Sequence, residues 1–312
     1  MIEEQIRQIV QAVISQMTGD EADKPQRGDA KTEPKAPDIS VEKSTPPCCG
    51  SILEDVADED LEDLSAIDLQ KEILIPNPAD PAALAYFKQS TPARIGVWRC
   101  GARPLTRTLL RFRADHATAQ DAVFKEVDEE VLNKFDLVRV QTKITDKDQY
   151  LTRPDLGRQL LDEDLQKILQ NCPKNPQVQI VIADGLSSRA VEANLEDILP
   201  SLKQGLAAQN LKTGKDIFVK FGRVDVMDQI GKALDAEVVV LLVGERPGLG
   251  TSESMSAYMV YKPGPQTVVA DHTVVSNIHK GGTPPAEAGA HLATVVRKIY
   301  DAKLSGVKLT LQ

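Results

Sequence analysis

Aromatic side chains are scarce in this sequence, with one Trp, five Tyr and six Phe among 312 residues, and histidine and cysteine occur four times each. The four histidines, His116, His272, His279 and His291, show no i,i+3 or i,i+4 pairing, so no helical metal-ligand pair is expected. Cys48 and Cys49 are adjacent while Cys100 and Cys172 stand alone, which matches neither a disulfide framework nor zinc spacing and predicts reduced thiols. Basic residues are the minority, 37 against 46 acidic ones, and the net charge of −9 offers no field for nucleic acid or anionic lipid. No apolar run reaches the roughly 18–20 residues of a bilayer span, and the start of the chain lacks the basic-then-apolar order of a secretory signal. A cytosolic protein is expected.

Other signatures are also missing. Gly248-Leu249-Gly250 lacks the third glycine of a dinucleotide fingerprint and is not followed by a helical pattern, and there is no Walker motif. Asp184, Ser187 and either His272 or His279 would make a hydrolytic triad only if Gly185-Leu186-Ser187-Ser188-Arg189 were a nucleophile elbow, which it is not. With 41% apolar residues the chain can nevertheless bury one good-sized core or two small ones.

Ile2, Ile6, Ile9, Val10, Val13, Ile14 and Met17 recur at steps of three and four, predicting an amphipathic helix over residues 1–19. Residues 20–76 read as a linker, first Pro-rich and polar and expected to be disordered, then strongly acidic from Glu54 to Asp68. Asn77-Pro78-Ala79-Asp80-Pro81 breaks the chain before a mainly helical region, 77–160. There Arg99, Arg103, Arg107 and Arg111 lie four apart, with Pro104 suited to a helix start. Arg107 and Arg111 share a face, which is either a solvated surface with salt bridges or a grip on a partner or cofactor.

From 161 to 312 the pattern changes. Gln177 to Ala183, Ile217 to Phe221 and Glu237 to Val243 are short, β-branched and apolar at nearly every position, as strands buried on both faces are. Helical patterns over Ala190 to Ala208 and Asp225 to Leu234 separate them, with Asp225 placed as an N-cap. Met255 to Lys262 and Thr267 to Val275 are further strand candidates, followed by a helix from about Pro285 to Leu304. The fold class predicted is α/β: a Rossmann-like, doubly wound, mostly parallel sheet, preceded by a helical region and a disordered N-terminal tether.

Ligands of such sheets bind beyond the carboxyl ends of the strands. Three glycine-bearing loops converge there: Asp184-Gly185-Leu186-Ser187-Ser188, Gly222-Arg223-Val224-Asp225, and Gly244-Glu245-Arg246-Pro247-Gly248-Leu249-Gly250. Asn277-Ile278-His279-Lys280-Gly281-Gly282 imitates the Asp-x-His-x-x-Gly loop that ligates cobalt in some cobalamin proteins, but Asn replaces the carboxylate that would orient the histidine, so a polar loop leading to the next helix is expected.

These passages, with Arg103-Pro104-Leu105-Thr106-Arg107-Thr108, Tyr150-Leu151-Thr152-Arg153-Pro154-Asp155-Leu156-Gly157-Arg158 and Phe221-Gly222-Arg223-Val224-Asp225-Val226-Met227, resemble the light subunit of ethanolamine ammonia-lyase over about residues 90–305. The resemblance implies a partner, a larger catalytic barrel subunit, with base-on adenosylcobalamin held between the two and a radical conversion of ethanolamine to acetaldehyde and ammonia. It implies cofactor contacts at Val224, Glu245 and Val274, the last commonly Cys in relatives. It implies no catalytic residue and no metal ligand in this chain. Glu245 is expected to accept hydrogen bonds at the cofactor's periphery, or else to pair with Arg246 or another arginine, and Val224 to form an apolar wall. The N-terminal helix and tether resemble encapsulation segments, implying shell proteins as partners and the lumen of a bacterial microcompartment as the destination. Two other readings remain open from the residues: a self-sufficient Rossmann-like enzyme acting on a phosphorylated or nucleotide substrate, and a non-catalytic scaffold.

Overall fold

A computed structural model describes residues 63–68 and 71–310, and these described residues belong to one compact unit. The predicted helix over 1–19 and most of the 20–76 linker lie outside the described residues. The elements used below are α1 (Pro81–Gln89), α2 (Thr106–Phe124), β1 (Val138–Gln141), α3 (Lys147–Thr152), α4 (Asp162–Asn171), β2 (Val178–Ala183), α5 (Ser188–Ala208), β3 (Ile217–Lys220), α6 (Val226–Leu234), β4 (Val238–Gly244), β5 (Met255–Tyr261), β6 (Thr273–Ile278) and α7 (Pro285–Ala302).

The sheet has six strands in the order β1-β3-β2-β4-β5-β6. The pairings β1·β3, β3·β2 and β2·β4 are parallel, while β5 and β6 add antiparallel at one edge, so the sheet is mixed. β2 and β4 are buried at every position, because helices cover both faces of the parallel part. On one face Leu195, Ile198, Leu202 and Leu206 of α5 pack with Leu292, Val296 and Ile299 of α7 over Ile180, Val240 and Leu242. On the other, Ile168 of α4 and Met227, Ile230 and Leu234 of α6 cover Val181, Val219 and Leu241. The crossover through α5 steps from β2 to β3, and the crossover through α6 returns past β2 to β4. Two right-handed crossovers running in opposite directions put their helices on opposite faces.

Four details differ from the sequence expectations. The stretch expected to be mainly helical, 77–160, contributes β1, whose apolar residues number only two and alternate with half-buried Arg139 and Gln141. Residues 162–171 form a further helix, α4, which covers one face of the sheet. The last strand begins at Thr273, not Thr267, because Val269–Asp271 forms a 3-10 turn in which Asp271 accepts the Val268 N–H. Asp225 does not cap α6; its carboxylate pairs with Arg158 at 2.9 Å.

Arg107 and Arg111 of α2 are spent within the chain. The Arg111 guanidinium donates to the carbonyls of Leu64 and Ile67 and to the Asp115 carboxylate, Arg94 reaches the same carboxylate, and Arg107 bonds Glu72 at 2.7 Å. Those contacts fasten Leu64, Ile67 and Glu72 to α2.

Candidate functional site

The carboxyl ends of β2 and β3 are tied together by one buried side chain. Asp184, 2% exposed, accepts the N–H groups of Gly185 at 2.9 Å, Phe221 at 3.0 Å and Gly222 at 3.1 Å, joining the loops after β2 and β3. Lys147 of α3, 8% exposed, places its ammonium 3.9 Å from Asp184 and 5.4 Å from the ring centroids of both Tyr150 and Phe221, with no hydrogen-bond partner among the described residues. Burial pushes the Asp184 carboxyl up, against the pull of Lys147 and the three N–H donors, and the same burial lowers the Lys147 amine. On the other side, the loops after β2 and β4 approach backbone to backbone. Gly185 has φ +60°, and a Cβ there would lie 2.1 Å from the carbonyl oxygen of Gly244. That carbonyl accepts the N–H of Leu186 at 3.0 Å. Glycine is required by both the positive φ and the close approach.

Gly185 is therefore buried beneath the site and is not part of its surface. Part of the expected crevice is filled by residues 142–160. Thr142 donates to the Phe221 carbonyl, the Tyr150 hydroxyl donates to the Gly222 carbonyl at 3.1 Å, and Arg223 stacks 4.0 Å over the Tyr150 ring while donating to the Tyr150 carbonyl. Tyr150 is 1% exposed, and burial holds its phenol far above the ordinary value. Sequence reasoning missed this covering segment, since nothing local in it marks where it folds.

What remains open lies toward the antiparallel edge. Val224 and Tyr258 are half-buried and pack on the same cluster, which includes Leu241, Val243 and Val260. Tyr258 is in register with Leu241 of β4 on one side and Val274 of β6 on the other. Val275 packs toward α7, so Val274 projects from the opposite face, where it is 46% exposed. Glu245, just past β4, is half-buried and accepts the Tyr258 hydroxyl at 3.1 Å. Glu245 makes no ion pair with Arg246 or any other basic group among the described residues. Val274 and Glu245 are thus linked through Tyr258, a residue that no motif singles out, and Val224 rests on the same cluster as its ring. Alternation along β5 places Tyr258 on this face, but only sheet register reveals its neighbours.

This ledge is formed by four side chains that are apolar apart from the Tyr258 hydroxyl and the accepting Glu245 carboxylate. It suits the rim of a broad, largely uncharged ligand carrying N–H or O–H donors, and a corrin with primary amides at its periphery has that chemistry. The Asn277–Gly282 loop is closed on itself: His279 Nδ1 accepts the Gly281 N–H at 3.1 Å, and Nε2 lies 2.9 Å from Asn277 Oδ1. The hydrolytic alternative dissolves in the same way. Ser187 donates to the Ser252 carbonyl, Asp184 is bound to backbone, and His272 pairs with Asp228 at 3.2 Å. No cluster of metal-ligating side chains occurs among the described residues.

A family model described as ethanolamine ammonia-lyase light chain (EutC) matches residues 81–310. The ethanolamine ammonia-lyase small subunit of Listeria innocua is 47% identical over 309 residues, covering 99% of this chain and 100% of the relative. The proteins of the same name from Clostridium perfringens and Lachnoclostridium phytofermentans are 54% and 44% identical, covering 81% and 99% of this chain and 86% and 99% of their own lengths.

Proposed function

Since the chain belongs to the ethanolamine ammonia-lyase light-chain family, we infer that it is the small subunit of that lyase, paired with a large subunit and holding adenosylcobalamin on the ledge beside β5 and β6. The observation that carries the cofactor reading is the meeting of Val274, Tyr258 and Glu245 on one open sheet edge, with Val224 on the cluster beneath. Val224 and Val274 would supply apolar contact, and Glu245 would accept a rim amide. The bound group would supply a radical by homolysis of its cobalt–carbon bond, so that ethanolamine is converted to acetaldehyde and ammonia on the complex. This chain's share of the work is to hold and orient, and its residues take no catalytic role. His279, engaged on both ring nitrogens within its own loop, favours a cofactor that keeps its own lower ligand. The winding of β2, α5, β3, α6 and β4 about the β2 axis is read as Rossmann-like, with the antiparallel strands as an added edge.

Tyr86, Phe87, Leu109, Leu110 and Phe112 on α1 and α2 are exposed, and a permanent subunit interface takes apolar surface of that kind. Reconstitution with the large subunit, followed by corrinoid absorbance titration, tests the reading. Glu245→Ala and Val224→Trp should each weaken binding by about tenfold, a loss near 1.4 kcal/mol. Unchanged affinity in both would defeat it. We also propose that residues 1–20 direct the complex into the lumen of a bacterial microcompartment through shell proteins. Deleting them should abolish co-purification with shells, and undiminished packaging would refute the proposal.

A further inference from the structure

Tyr258 sits at the centre of the ledge, with Leu241 and Val274 in register on either side and its hydroxyl 3.1 Å from Glu245 Oε1. Burial, reinforced by the Glu245 charge, pushes its phenol up to about 12. At neutral pH the hydroxyl therefore keeps its proton and meets the carboxylate as a donor. The backbone of Glu245 is held as well, its N–H donating to the Ser254 carbonyl at 3.0 Å. A glutamate on an open loop would otherwise sample several rotamers and lose that freedom on binding. Here one carboxylate oxygen is already committed, and Oε2, without a hydrogen-bond partner among the described residues, is left to accept from an incoming group.

Building on the cobalamin reading above, we propose that Tyr258 is a positioning residue: its hydroxyl fixes Glu245 so that Oε2 receives an N–H from a primary amide on the corrin rim. Tyr258 acts through Glu245, so removing its hydroxyl should matter only while the carboxylate is present.

The test uses the reconstituted complex of small and large subunits, titrated with cyanocobalamin and followed by absorbance. Tyr258→Phe, which keeps the packed ring, and Glu245→Gln should each weaken binding about 3–10-fold, and the double variant should be no weaker than Glu245→Gln alone. With adenosylcobalamin, Tyr258→Phe should raise the cofactor KM more than it lowers kcat. Of the cobalamins in which one rim propionamide is hydrolysed to a carboxylate, at least one should bind the wild-type complex more weakly than cyanocobalamin, and that penalty should shrink in Glu245→Gln. Equal binding by Tyr258→Phe and wild type, losses that multiply in the double variant, or no penalty dependent on Glu245 for any carboxylate isomer would overturn the assignment. A wild-type complex that binds no cyanocobalamin would instead remove the cobalamin reading itself, and the role of Tyr258 with it.

Discussion

Replacing Asp184 with Asn probes the tie that sets the strand ends. Asn keeps one carbonyl oxygen but turns an NH2 toward either the Phe221 N–H or the Gly185 and Gly222 N–H pair, so donor faces donor. It also leaves the Lys147 ammonium, 8% exposed and lacking any hydrogen-bond acceptor, without its counter-charge. Breaking a buried pair on one side costs about 3–5 kcal/mol, so a loss near 4 kcal/mol is expected. For a body of this size each kcal/mol moves Tm by about 2–4 °C, giving a drop of roughly 8–16 °C. Adding Lys147→Met removes the stranded charge and keeps an aliphatic side chain beside Tyr150 and Phe221, and should recover at least half of the loss. Thermal unfolding of the full chain by circular dichroism reads both values. A Tm for Asp184→Asn within about 3 °C of wild type, or a double variant less stable than the single one, would refute the account.

Two more outcomes follow from buried charges elsewhere. Burial alone would lower the His272 pKa, but its bond to Asp228, helped by the Asp225 charge, raises it overall. With a folded pKa above the unfolded value, the stabilisation is complete below about pH 6.5 and is lost as pH rises through the folded pKa. The Tm gap between wild type and His272→Gln should therefore be larger near pH 6 than near pH 9, and equal gaps would contradict the pairing. Arg111→Met deletes the donors to the Leu64 and Ile67 carbonyls and half of the charge facing Asp115. It should cost about 2–4 kcal/mol and accelerate amide exchange in residues 63–72 while leaving β2 and β4 protected, and unchanged exchange there would show that Arg111 does not hold the segment.

The sequence determined the buried half of the fold almost residue by residue. β2, β3 and β4 are continuous β-branched runs because both faces are covered, and α5, α6 and α7 carry apolar stripes because each covers one face, so burial is written locally as composition and period. Val224 and Glu245 stood out because they follow those strands, and Val274 because its surroundings match a family pattern. Tertiary structure decided the rest. β1 has two apolar residues and no period to read, and it becomes a strand by pairing with Ile217–Lys220. The covering of the first strand ends by Tyr150 and Lys147 depends on partners more than thirty residues away, Asp184 and Phe221. Whether Glu245 would meet an arginine or a tyrosine depended on the register between β4 and β5, which brings Tyr258 alongside Leu241. A local pattern records how much of a residue is buried. It does not record which distant residue buries it, and among the described residues the face carrying Val274 is left 46% exposed at that position only by the way the sheet edge is packed.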